Sequence, residues 1–580
     1  MTGALDYVLP ARLLMWLKAR LWSDAAVAVF VGLAVVVLLV ATADQGFVRD
    51  EGYYFRAARE YNAWFEELWR NLWNGRVLES FSGATVSRSF AFNWEHPGFV
   101  KILAGWTWKV FHVWLGVVSD ATGFRLASIL MVAVGCAFAF LLGARFASRC
   151  VGLLGVALFL ACPHVFYHAH LACFDAPITA MTVIVTYAFW RALDSWRWVI
   201  GVGVAWGIAI ATKHNGLFLA PTLLLAYLIA HLPELGLTRE GRLRLPGIPL
   251  AFFAMLLIGP VVFYLFYPYG WPDPVGRISS YFAYHLHHEH YPVDYFGKLY
   301  TEPPFPWHYS FVMSGLTVPL TVLLPGVVGW LWWLRAGVGA ISRGLRKPSS
   351  PPVSGIAAWL MVVSTLVPPA IIAMPNVPIF GGTKHWMPMM PFFCLLAAWV
   401  ILRAAGEVKD IWPRAGRWAA PALVALALLL PAVETGRTHA FGHTYFNELV
   451  GGHQGGAALG MSRTFWGGDG RSLLPIVNDQ ARPNASLFTH RMNWDDFRAY
   501  QENGLLRPDV RFSSELRQAD WALTFHQREY QDEEYRVWAR TNDRRPIGVV
   551  AFDGVPIVSL YRMTPMPPVA GSFPGAPPPW

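Results

Sequence analysis

The chain has 580 residues, of which 55% are apolar, 15% aromatic and only 14% charged, with a mean hydropathy of +0.37. An ordinary globular chain carries about 25% charge, so a soluble surface cannot be covered, and disorder, collagen and coiled coil are excluded by the same figures. The composition is that of a polytopic membrane protein, and the net charge of +9 needs no nucleic-acid partner, because Lys and Arg collect in cytoplasmic loops.

At the N-terminus, Arg12, Lys18 and Arg20 precede an apolar run at about 25–43. That run is long for a signal-peptide core and no clean cleavage site follows, so a retained first span is expected. Directly after it comes Arg49-Asp50-Glu51-Gly52-Tyr53-Tyr54. Two adjacent carboxylates at a bilayer–water boundary are partly desolvated, where one can act as a general base; the same acids also suit the first turn of a solvated helix. Asn93-Trp94-Glu95-His96-Pro97 follows, with Lys101 a turn beyond the proline. Proline favours the first helical position, which would put His96 and Lys101 at a positive helix end able to hold an anion. A lysine snorkelling from an interfacial helix is the plainer alternative.

The segment 97–118 is apolar enough to cross a membrane but carries Lys101, Lys109 and His112. If it does not cross, the short cytoplasmic loops hold 18 Lys and Arg, against Lys213, Arg277, Lys298 and Lys384 in the opposing loops after residue 125. Crossing would send 15 of those charges outward, against the positive-inside rule. The segment is therefore expected along the outer interface, with Trp106, Trp108 and Trp114 at headgroup level. Ten more spans are expected at about 124–144, 151–170, 176–193, 198–212, 217–233, 247–267, 310–334, 353–374, 386–403 and 418–436. That makes about 11 transmembrane helices, N-terminus inside and C-terminus outside, with outer loops 44–123 and 268–309.

Further acids and bases fall on the same face. Asp175, in Cys173-Phe174-Asp175-Ala176-Pro177, opens the fourth span; an acid at membrane depth is a functional candidate or an N-cap. Lys213-His214-Asn215 breaks two short spans, and Lys384 in Thr383-Lys384-His385-Trp386 precedes the tenth; each lysine answers either a bound anion or a hidden carboxylate. The second outer loop carries His285, His287, His288, Glu289 and His290. No metal motif such as HExxH is present, so a polar substrate loop is favoured over a metal site and the metal is left unknown. The five cysteines lie in or beside apolar segments and form no disulfide framework or CxxC pattern.

From about 437 onward the chain is polar, with 15 Arg balanced by 15 acids and no Lys. Strand-like runs at Ala485–His490 and Ala522–His526 alternate with helical stretches at Trp494–Glu502 and Gln531–Arg540. Asp553-Gly554 punctuates a β-hairpin signal over 548–563. The expected division is a transmembrane catalytic module over 1–436, an extracytoplasmic α/β domain over 437–563, and a disordered Pro/Gly tail over 564–580.

Asp50-Glu51 after the first span, with the EHP–Lys101 segment, resembles the membrane glycosyltransferases of the GT-C superfamily, nearest to family 39: the protein O-mannosyltransferase-like and lipid A aminoarabinose transferase-like enzymes. The segments LACFDAP, ATKHNGLFL, YFGKLYTEPPFPWHYSFVM and GGTKHWMPMMPFF follow the family's order over about 25–405. The resemblance implies a GT-C fold, α-helical and polytopic, with interfacial helices in the first outer loop. It implies an inverting transfer of a sugar from a polyprenyl-phosphate donor to an acceptor hydroxyl on protein, lipid or glycan, at the outer face of a bacterial cytoplasmic membrane. Asp50 would match the family's catalytic acid residue with Glu51 beside it, and Asp175 the acid of the fourth span. His96, Lys101, Lys213 and Lys384 would hold the phosphate, though HPG stands here for the family's HPP. His285, His288, Glu289 and Tyr309 would belong to the donor or acceptor loop. No cofactor is required by this reading, and a divalent metal ion is compatible with it. The alternatives are a transporter or flippase of a lipid-linked sugar, weakened by the missing inverted repeat, and a scaffold displaying the tail domain.

Overall fold

The computed structural model describes residues 23–237, 243–244, 246–346 and 353–564. Arg12, Lys18, Arg20 and nearly all of the 564–580 tail lie outside the described residues. The first apolar run forms helix α1 (Asp24–Ala41), capped by the Ser23 hydroxyl at the Ala26 amide. After a short connection the chain enters α2 (Arg49–Trp73). The contested 97–118 segment becomes a nine-residue helix, α3 (Phe99–Thr107), continued by a π-helical stretch over Trp108–Trp114. It packs along α2 and is too short to span, since about 20 residues are needed. Trp106 and Trp114 are exposed, but Trp108 is not a headgroup residue. Its indole N–H donates to Asp120 at 2.8 Å and its ring stacks on Phe124, so it braces the turn into the next helix.

That helix, α4 (Asp120–Phe146), packs against α1. The expected span at 151–170 is instead two helices, α5 (Arg149–Leu160) and α6 (Pro163–Ala169), bent by 81°. Pro163 explains the break: it has no N–H for the preceding turn and favours the start of a new helix. The bend sends residues 161–175 through the protein interior, all of them buried. The helices α7 (Asp175–Ala192), α8 (Trp196–Thr212), α9 (Leu219–Ala230) and α10 (Leu250–Leu265) follow. A further helix, α11 (Pro274–Leu286), lies in the second loop, followed by the small antiparallel hairpin β1 (Val293–Tyr295) and β2 (Lys298–Tyr300). Four long helices complete the membrane part: α12 (Leu320–Arg346), α13 (Val353–Ile372), α14 (Met390–Ile411) and α15 (Pro413–Arg437).

Among the described residues six helices are long and apolar enough to cross a membrane, or seven if the bent pair counts as one span. Against the eleven expected, α8, α9 and α10 are apolar but shorter. The chain is a multi-pass membrane protein, mostly helical, with a small C-terminal sheet domain.

That sheet has five strands: β3 (Ser486–Thr489), β4 (Arg511–Ser513), β5 (Trp521–Phe525), β6 (Gly548–Phe552) and β7 (Val555–Arg562), in the order β4-β3-β5-β7-β6. The strands β4, β3 and β5 run parallel, and β7 pairs antiparallel with both β5 and β6. The β6–β7 turn is the expected hairpin, with Asp553 and Gly554 both at positive φ, as a type I′ turn requires. Helices α16 (Leu474–Gln480), α17 (Trp494–Glu502) and α18 (Gln531–Thr541) complete the domain.

The domain does not hang free. The α17 face docks on the start of α2: Asp496 accepts the Gly52 N–H at 2.8 Å, the Tyr500 hydroxyl accepts the Phe47 N–H at 2.8 Å, and Asn493 donates to the Arg49 carbonyl at 2.6 Å. Gly52 permits this contact, because a Cβ there would stand 2.4 Å from the Asp496 amide nitrogen.

Candidate active site

Acids and bases from six separated segments line one cavity of about 240 Å³. Asp50 comes from the first turn of α2, His96 from the loop before α3, Asp175 from the first residue of α7, and Lys213 and His214 from the break between α8 and α9. His285 and His288 come from the end of α11, and Lys384 and His385 from the 3-10 turn Gly382–Met389 before α14. Of the residues picked out in the sequence, Asp50, Asp175, His96, Lys213, Lys384, His285 and His288 therefore meet in one place.

Four others do not. Glu51 lies on the far side of α2 from Asp50, because successive helical residues are rotated by about 100°. It is fully buried, pairs with Arg125 at 2.6 Å, and accepts the Ala172 N–H at 2.9 Å and the Val48 N–H at 3.2 Å. This is a structural clasp of α2, α4 and the segment after α6. Lys101 is buried beneath the loop before α3, its Nζ donating to the Asn93 carbonyl at 2.6 Å and the His96 carbonyl at 2.9 Å. Burial lowers its pKa to about 7. It has no access to a phosphate in the cavity and instead fixes the backbone that presents His96. Glu289 is exposed and outside the cavity wall. Tyr309 is buried against Tyr295 and Trp386, a packing role.

Gly98, where the motif it resembles would carry a proline, has its own reason. Its N–H donates to the Phe266 carbonyl at 3.1 Å, a bond that proline cannot make. The helix also starts two residues later than Pro97 suggested.

The charges in the cavity are arranged in pairs. Lys213 finds the hidden carboxylate: its Nζ lies 2.7 Å from Asp175, both nearly inaccessible. Lys384 is looser, 3.9 Å from Asp50, whose side chain is 35% exposed, and its ammonium stands over the Trp466 ring at 3.2 Å from the centroid. Burial, with Lys101 next, holds His96 well below its ordinary pKa, and burial takes His285 down to about 4. His285 Nε2 donates to the Glu95 carbonyl at 2.9 Å, and its ring stacks on His214, while His288 stacks on Phe380. Among the described residues no group of three His, Cys, Asp or Glu is placed to hold a metal ion.

Several wall residues are not singled out as site residues by the sequence. Arg49, Tyr53, Glu95, Tyr284, Tyr291 and Asp294 come from the two outer loops. Trp466, Arg491, Gln527 and Glu529 come from the C-terminal part. The Arg49 N–H donates to the Trp466 carbonyl at 2.9 Å, joining the start of α2 to the C-terminal part beside Asp50. No spacing rule links residue 49 to residue 466, so only the tertiary contact reveals them.

Residues 95–264 match the family model described as dolichyl-phosphate-mannose-protein mannosyltransferase, less than a third of the chain. No curated protein matches it in sequence. Among solved structures, the chain is similar to ArnT from Cupriavidus metallidurans in the apo state, at 16% identity and a TM-score of 0.47, covering 93% of this chain and 98% of that one. A second ArnT structure, bound to undecaprenyl phosphate, gives 16% and 0.45 over 94% and 98%. The Archaeoglobus fulgidus oligosaccharyltransferase in the apo form gives 10% and 0.43 over 88% and 72%. Over residues 95–264, which hold His96, Lys101, Asp175 and Lys213, the likeness to family-39 GT-C membrane glycosyltransferases read from the sequence is borne out by the mannosyltransferase family match.

Proposed function

We propose that this protein is an inverting glycosyltransferase, moving a sugar from a polyprenyl-phosphate carrier to an acceptor hydroxyl at the outer face of the cytoplasmic membrane. The observation that carries this reading is Asp50, a partly open carboxylate sharing one cavity with Lys384 and the Lys213–Asp175 pair. Asp50 takes the proton of the acceptor hydroxyl as its oxygen bonds to the anomeric carbon. The bond from that carbon to the phosphate oxygen breaks, and its electron pair leaves with the polyprenyl phosphate. Lys384 and Lys213 stabilise the charge gathering there. Lys213 is already balanced by Asp175, so Lys384, whose long pairing with Asp50 is released as Asp50 takes the proton, supplies the cation, with Arg49 on the same wall. The neutral His96 orients rather than charges the site. The family match over 95–264 supports the reaction class, and the ArnT structure bound to undecaprenyl phosphate supports the carrier by analogy.

The test is transfer by the purified protein in lipid, with a panel of radiolabelled polyprenyl-phosphate sugars and membrane extract as acceptor. Wild type is expected to move label from one carrier, and Asp50→Asn to bind that carrier without turnover. A product with retained anomeric configuration overturns the direct displacement. Saturable binding with no transfer from any donor moves the reading to a transporter.

A further inference from the structure

Asp294, Arg491, Gln527 and Glu529 line the cavity but take no part in the transfer just described. Their origin is informative. The strands β3 and β5 are parallel neighbours, with Leu487 opposite Trp521, so their carboxyl ends leave the same edge of the sheet. Arg491 stands two residues past the end of β3 and Gln527 two past the end of β5. In open sheets with parallel strands, ligands bind in the crevice outside those carboxyl ends. Here that crevice is the roof of the membrane cavity.

The loops there are held firmly. The Arg528 N–H donates to Asp294 Oδ2 at 3.2 Å, Gln527 Nε2 to the Thr464 carbonyl at 2.5 Å, and Arg491 to the Tyr530 hydroxyl at 2.8 Å. The Gly297 N–H donates to the Gly460 carbonyl at 2.9 Å, tying the β1–β2 hairpin to the domain. After these bonds are made, Asp294 Oδ1, Gln527 Oε1 and Arg491 Nε remain buried with no hydrogen-bond partner among the described residues. Asp294 is 8% exposed and Gln527 7%. Buried polar atoms are nearly always paired, so these three orphans at the carboxyl edge of the sheet, facing a cavity whose other walls hold the orphaned ring nitrogens of His96, His214, His285 and His385, point to a ligand that pairs them. Two are acceptors and one is a donor. A hydroxyl meets both needs, since it donates one hydrogen and accepts at its lone pairs. Tyr53, Tyr284 and Tyr291 on the same walls add flat apolar faces of the kind a sugar ring packs against.

We infer that the carboxyl edge of the C-terminal sheet, with Asp294 from the β1–β2 hairpin, forms a hydroxyl-recognising subsite for a sugar ring. The subsite rests on the transferase reading for its place in a reaction, and its sugar is either the one on the carrier lipid or one on the acceptor. Equilibrium binding to the full-length protein in nanodiscs tests it, with three probes: a short-chain prenyl phosphate, a panel of its glycosyl esters, and the matching methyl glycosides. The expected wild-type result is a glycosyl ester held at least about tenfold more tightly than the bare phosphate, or a methyl glycoside held saturably. The first outcome identifies the donor sugar and the second the acceptor. Gln527→Met removes one acceptor atom. Asp294→Asn is isosteric, can still accept from Arg528, and turns a donor toward the cavity. Each is expected to lower the sugar-dependent affinity about tenfold, the effect of one lost hydrogen bond, with bare-phosphate binding unchanged. Wild-type sugar affinity in both variants, or no sugar-dependent binding in wild type, overturns the subsite. Failure of the bare phosphate to bind counts against the transferase reading instead, while the methyl glycosides still report on the subsite.

Discussion

Asp50 and Glu51 are neighbours in sequence at the start of one helix, yet they inhabit different regions of the molecule. Asp50 faces a cavity, with a single long ion pair among the described residues. Glu51 faces a closed polar core, with Arg125 and the backbone N–H groups of Val48 and Ala172 around it. The Arg125 guanidinium also donates to the Gln45 and Gly46 carbonyls. The core holds the entry to α2 against α4, while Asp50 on the next position stands open to the cavity. Adjacent helical positions do not share a face, and here that separation divides a scaffold from a site.

The comparison breaks most sharply at Asp50. Asp50→Asn should lower transfer about 10²–10⁴-fold, the worth of a general base, with the thermal midpoint unmoved. A stable protein with near-normal turnover would remove Asp50 from the chemistry. Glu51→Ala should do the reverse, leaving Arg125 buried and uncompensated. The expected cost is about 3–5 kcal/mol of stability, read as lost yield and a lower unfolding midpoint in detergent. Should Glu51→Ala fold normally and only lose turnover, the two acids would have to exchange roles.

A smaller effect is expected at the join between the regions. Gly52→Ala pushes a Cβ against the Asp496 backbone and should cost about 1–3 kcal/mol, as overpacking does. Faster proteolysis of the C-terminal domain from the membrane part would register it. An unaltered digestion pattern would mean the α17 contact is not what seats the domain.

The smallest effect is in pH. His285 is held down to about 4 by burial, whereas an unfolded histidine titrates near 6.5. The unfolded chain therefore binds the proton first, so this contribution is fully present above about pH 6.5 and is lost as pH falls toward 4. His96, lowered in the same direction, adds to the loss. The unfolding midpoint should fall over that window, and His285→Gln should flatten part of the slope. A midpoint that rises on acidification would mean these imidazoles are charged in the folded protein.

The sites read from sequence divide along the same line. Asp175, Lys213 and Lys384 were found because a charge at membrane depth stands out against apolar surroundings, and they do meet. Lys101 shows where that signal stops. A lysine one turn past a proline carries the same pattern whether its ammonium reaches a ligand or caps the carbonyls of Asn93 and His96. Tyr309 sat in a polar, aromatic loop, but its burial against Trp386 depends on a contact that no local pattern encodes.

Composition determined by itself that this is a multi-pass membrane chain, because so little charge leaves no other way to satisfy so much apolar surface. Period and turn chemistry placed two of the tail's strands, two of its helices and its hairpin to within about a residue, since α17 and the Asp553-Gly554 turn depend on local backbone preferences, but they gave no sign of β4 or α16. Loop charge argued that 97–118 does not span, and the helix there is indeed short. The tertiary structure alone decided which of two adjacent acids faces the cavity, which lysines are already paired, and that the C-terminal part of the chain roofs a cavity whose other walls come from residues between 49 and 385. Those outcomes depend on contacts between residues hundreds of positions apart, such as Arg49 with Trp466 and Asp294 with Arg528. Their energies come from burial and hydrogen bonding that exist only once the chain has closed.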